Sequence, residues 1–117
     1  MPYRSLLKKL LEQVEGAVGA GFADYEGETV QLLGQFADFE HRVHIACQGI
    51  LLQQIKKAHQ SHLPPPAVVF CKYQFGTLLI KPVKDGYYLV LTLAHPKQTA
   101  RAIRYLEDAA RVLEQDI

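Results

Sequence analysis

Apolar residues recur at two different spacings along this chain, and each change of spacing marks a new element. Tyr3, Leu7, Leu10, Leu11 and Val14 fall on one helical stripe, with Lys8, Lys9, Glu12 and Glu15 largely off it. That spacing predicts an amphipathic helix over 3–15, and Gly16 suits the left-handed residue that ends one. Val18, Ala20 and Phe22 then alternate with Gly19, Gly21 and Ala23, and Val30 and Leu32 with Gln31 and Leu33. This period of two predicts a pair of strands around the turn Asp24-Tyr25-Glu26-Gly27-Glu28. Small residues in a strand mark close approach by another element, which is expected along the first strand.

Residues 36–60 hold no proline, and Gly49 is their weak point, so one long helix is expected there. Phe36, Phe39, Val43, Ala46, Cys47 and Ile50 make one stripe, while Ile45, Leu51, Leu52 and Ile55 spread beyond it. A surface helix needs a single apolar face. This one is expected to be covered by something besides its own sheet. Pro64-Pro65-Pro66 ends it, because proline lacks the N–H donor and enforces extended geometry.

Three strands are expected over 67–93: Ala67 to Cys71, Phe75 to Val83 and Tyr87 to Leu93. Lys84-Asp85-Gly86-Tyr87 joins the last two, since Asp-Gly supplies the positive φ values of a type I′ turn. A final helix over 96–115 starts at Pro96. Its expected buried stripe is Thr99, Ile103, Leu106, Ala110 and Leu113, with Glu107 and Arg111 spaced for a surface ion pair. The order helix, two strands, helix, three strands, helix, with tight hairpins, predicts an α/β (α+β) domain over 1–117 built on a five-stranded antiparallel sheet.

Composition narrows the functional classes. Of 117 residues, 49% are hydrophobic and 21% charged, and the formal net charge is +1. No broad basic field exists to recruit nucleic acid or an anionic membrane surface. No apolar run approaches the ~20 residues of a membrane span. Cys47 and Cys71 both sit in apolar runs, as small hydrophobes do in a reducing compartment, so a soluble cytoplasmic protein is expected.

Candidate chemistry is sparse. There is no G-x-x-x-x-G-K-[ST], and the Gly16, Gly19 and Gly21 cluster opens no helix. Ser5 and Ser61 fit a helix start and a turn. Cys47 beside His44, or Cys71, is the possible thiol nucleophile, against the reading of both as buried inert thiols. His41, His44 and Cys47 stand at steps of three on the long helix, with His59 and His62 near its end. The first and third of that trio diverge by about 120° around a helix, which converges poorly on a metal. Neither a metal nor a cofactor is expected. Asp24, Glu26 and Glu28 read as solvated turn acids.

The stretch Val14 to Glu28, with its helix end, small-residue strand and Asp24-x-x-Gly27 turn, resembles the opening of the Roadblock / dynein light-chain family. Lys84-Asp85-Gly86-Tyr87-Tyr88-Leu89-Val90-Leu91 and the helix from Arg101 to Glu114 resemble its close. The resemblance implies a profilin-like or longin-like sandwich, αββαβββα, with helices on both faces of the sheet. It implies a homodimer paired through the third strand, about 67–73, and the helix before it, 37–60. On this sequence that interface is His44, Cys47, Leu51, Leu52, Ile55, Val68, Val69, Phe70, Cys71 and Tyr73. It also implies a Ras-like small GTPase as partner and no catalytic residue. Arg42 and Gln48 are the candidates for partner contact. An exposed Val68-Val69-Phe70 edge invites pairing in any case. The competing readings are a ligand-sensing sandwich with Tyr73, Tyr87 and Tyr88 lining a pocket between sheet and long helix, and a small enzyme built on Cys47 or Cys71.

Overall fold

The computed structural model describes residues 3–24, 26, 28–34, 45, 49, 53, 56–57, 67–73, 76–94 and 99–115. An N-terminal helix, Tyr3–Gln13, leads into β1 (Ala17–Ala23) and β2 (Thr29–Gly34). Then come β3 (Val69–Tyr73), β4 (Gly76–Pro82), β5 (Tyr88–Leu93) and a C-terminal helix, Thr99–Glu114. Ile45, Gly49, Gln53, Lys56 and Lys57 are helical, within the long helix expected over 36–60. The proline break at 64–66 lies outside the described residues.

The strands form one five-stranded sheet in the order β2-β1-β5-β4-β3, with every pairing antiparallel. β5 is central and buried at every position. A strand covered on both faces reads as an unbroken apolar run, which is what Tyr88-Leu89-Val90-Leu91-Thr92-Leu93 is.

Alternation along β5 sorts the core into two clusters. Leu89, Leu91 and Leu93 join Ala20, Phe22 and Leu79 under both terminal helices. Leu7, Leu10 and Val14 come from the first helix and its end, and Ala102, Leu106, Ala109, Ala110 and Leu113 from the last. Tyr3 packs on Phe22 with ring centroids 4.9 Å apart, and Phe22 stacks on Tyr87 at 5.3 Å. The buried stripe of the C-terminal helix differs from the one expected: Ala102 and Ala109 are buried, whereas Thr99 and Ile103 are half-buried. Small alanines face the sheet because the helix lies close against β4 and β5.

The opposite cluster contains Tyr88 and Val90 of β5, Leu78 and Ile80 of β4, Val69 of β3, Ala23 of β1 and Ile45. Ile45 puts the central helical segment on this face. The sandwich with helices on both faces is therefore the architecture found.

The turns follow local chemistry. Gly16 has φ 87°, the left-handed helix end expected of it. The Asp24 carboxylate accepts the Glu26 and Glu28 N–H groups at 2.9 and 3.0 Å, so it builds the β1–β2 turn instead of merely facing water. Asp85 and Gly86 have φ values of 64° and 82°, both positive as expected. Tyr87 N–H donates to the Lys84 carbonyl at 3.4 Å across these two residues, and Val83 N–H donates to the Tyr87 carbonyl at 2.8 Å, with Pro82 opposite Tyr88. β3 begins two residues later than expected, because its ladder with β4 starts at Val69 opposite Ile80. Arg111 pairs with Asp108, not with Glu107, one turn back along the exposed face of the helix.

Candidate functional site

β3 ends the sheet, with β4 on one side and no strand among the described residues on the other. Its register decides what each side chain does. Val69 stands opposite Ile80, and Cys71 opposite Leu78, so both turn toward the central-helix face. Phe70 stands opposite Leu79 and turns to the face of the terminal helices. The N-terminal helix lies on β1 and β2 and the C-terminal helix on β4 and β5, which leaves Phe70 50% exposed at the rim. Lys72 is the charged residue of this edge, and charge is a common device for blunting an edge.

The residues predicted for the interface therefore separate. Val69 is core, Val68 and Cys71 are half-buried, and Phe70 is the exposed apolar side chain of this edge. Tyr73 is placed in β3 by its backbone. His44, Cys47, Leu51, Leu52, Ile55, Arg42 and Gln48 lie outside the described residues, as do His41, His59, His62 and Ser61. Among the described residues no cluster of His, Cys, Asp or Glu has the makings of a metal site.

The central helical segment is held to the sheet by two close approaches. A Cβ added at Gly21 of β1 would fall 2.5 Å from Ile45 Cδ1. A Cβ added at Gly49 would overlap the Tyr88 hydroxyl. Tyr88 is 1% exposed, and its hydroxyl donates to the Ile45 carbonyl at 2.8 Å. Burial first, and the Asp24 carboxylate second, push its phenol well above the ordinary tyrosine value. Sequence reasoning expected the small residues of β1 to admit a neighbour. It missed the role of Gly49, whose only signal was a glycine in an otherwise sound helix.

The other chemical candidates take ordinary places. Tyr87 stacks on Phe22, on the face of the terminal helices, and the Tyr88 hydroxyl is bonded to the Ile45 carbonyl. Burial pushes the Cys71 thiol up, which disfavours the nucleophilic thiolate. A groove of about 170 Å³ lies between the terminal helices, lined by Leu6, Lys9, Leu10, Tyr105, Ala109 and Val112. Val30 of β2, at the opposite edge of the sheet, is 45% exposed. No helix among the described residues is long and apolar enough to cross a membrane.

No protein-family model matches the sequence, and no curated protein matches it. Solved structures do. A Roadblock/LC7 domain from Streptomyces avermitilis superposes with a TM-score of 0.85 at 12% identity, over 95% of this chain and 93% of that one. MglC from Myxococcus xanthus gives 0.73 at 18%, over the whole of both chains. An MglB with a tetrameric arrangement gives 0.83 at 12%, over 96% of this chain and 85% of its own. Loki profilins solved with rabbit actin are among the further neighbours. At these identities the likeness is one of architecture, and its conclusion is that this chain has the Roadblock/LC7 fold, a profilin-like sandwich.

Proposed function

We propose that this chain is a non-catalytic, homodimeric protein-binding module that regulates or scaffolds a Ras-like small GTPase. The observation that carries the self-association is Phe70, half exposed on a strand that ends the sheet. An open strand edge with an apolar side chain at its rim is stabilised by pairing with another strand. A two-fold copy supplies one of matching length and chemistry. The tetrameric arrangement of an MglB with this fold supports assembly of the domain with itself. The GTPase as partner rests on the Roadblock resemblance of Val14 to Glu28 and of the Lys84 to Leu91 hairpin. Arg42 and Gln48 remain the residues assigned to that contact, and cytoplasmic residence goes with the same reading. The raised pKa of Cys71 and the commitment of Tyr88 to the core support a binding role over the enzyme and ligand-sensing alternatives.

Sedimentation equilibrium of the purified chain tests the assembly. The expected result is a two-chain species at micromolar concentration, converted to a monomer of unchanged secondary structure by Phe70→Glu. A wild-type monomer would sink the reading. The partner is tested by adding GDP- and GTP-loaded P-loop GTPases to the dimer; binding that depends on the bound nucleotide is expected, and equal or absent binding in both states removes the GTPase.

A further inference from the structure

We infer that Tyr88 and Gly49 form a seat that fixes the height and rotation of the central helix on the sheet, and thereby the surface through which two copies associate. The inference rests on the proposed self-association, whose surface the Roadblock resemblance extends from β3 to that helix. In an α-helix the carbonyl of residue 45 accepts the N–H of residue 49. Here the same Ile45 carbonyl also accepts the Tyr88 hydroxyl at 2.8 Å. The hydroxyl reaches the helix backbone because Gly49, one turn on, has no side chain to block it. Ile45 is fully buried, and its Cδ1 fills the niche that Gly21 leaves open on β1. The helix is thus held at two points four residues apart, both of which depend on a missing side chain. Two such points, one of them a directional hydrogen bond, define an axial position and a rotation. A buried hydroxyl gives up much of its stabilisation if the helix moves, because its bond is directional.

Intrinsic helix propensity makes the opposite forecast, since Gly→Ala in a helix interior is stabilising where space allows. The two accounts are separated by measuring the dimer dissociation constant well below the unfolding temperature for wild type, Tyr88→Phe, Gly49→Ala and the double variant. Gly49→Ala is expected to weaken association about tenfold, and Tyr88→Phe about threefold, with circular dichroism unchanged. The double variant is expected to recover part of the Gly49→Ala loss, because the added Cβ no longer meets a hydroxyl. Tyr88→Phe retains the ring and keeps the test open if Gly49→Ala does not fold. A wild-type dimer with an unchanged constant in Tyr88→Phe, or a tighter one in Gly49→Ala, overturns the seat alone. A wild-type chain that stays monomeric overturns the self-association reading and this inference with it.

Discussion

The two faces of the sheet are closed by different means. The face under the terminal helices is filled by large aliphatic and aromatic side chains, among them Leu7, Leu10, Phe22, Leu91, Leu106 and Leu113. Two helices share it, packed through these side chains. The opposite face is closed by approach: glycines at 21 and 49 bring one helix near enough for a tyrosine hydroxyl to bond its backbone. The first arrangement has its energy spread over many interchangeable contacts, so it resists any one small change of shape. Among the described residues the second concentrates position in a few atoms, so its cost for a small change is local and directional.

The largest expected effect lies on the aliphatic face. Leu106→Ala, at a residue with no exposure, is expected to lower unfolding free energy by about 3 kcal/mol in a denaturant titration. A change under about 1 kcal/mol would show that the helices collapse onto the cavity and that this face is looser than its burial implies. Next comes Gly21→Val, which forces the Ile45 side chain away from β1. Its expected cost is about 2 kcal/mol, with amide exchange quickened near Ile45 and unchanged near Leu106. Uniform quickening over both faces would dissolve the distinction between them.

The smallest effect at neutral pH, and the sharpest, concerns Tyr88. Its folded-state pKa is raised, so between the ordinary tyrosine value of about 10 and the higher folded value the native state holds a proton the unfolded chain has lost. Stability is therefore full below about pH 10 and falls with rising pH through that window, by up to about 1.4 kcal/mol per pH unit. Tyr88→Phe is expected to cost about 1 kcal/mol at pH 7 and to flatten the alkaline slope by one proton. Equal alkaline slopes in the two proteins would place the lost proton elsewhere.

Much of this fold was legible before any coordinates. Where a residue's conformation is dictated by its own backbone, the reading held: Gly16 ends a helix with positive φ, and Asp85-Gly86 makes a turn with two positive φ values. Where it depended on a choice between near-equal neighbours, the reading slipped. Val69 and Phe70 are both apolar and β-prone, and only the register with Ile80 and Leu79 decides that one is core and the other rim. Arg111 had two acids within reach of one helical turn and took Asp108. Within the apolar edge Val68-Val69-Phe70, burial of Val69 and 50% exposure of Phe70 follow from that register alone.

The sequence by itself determined the succession of elements, their approximate ends and the turn at Asp85-Gly86, because periodicity and φ preference act within a few residues. Only the tertiary structure decided the strand order β2-β1-β5-β4-β3, which carries the chain from one edge of the sheet to the other between β2 and β3. It alone brought Tyr88 to the carbonyl of Ile45, 43 residues away. No local preference distinguishes a glycine that weakens a helix from one that admits a distant hydroxyl; that difference exists once the sheet has placed the tyrosine beneath it.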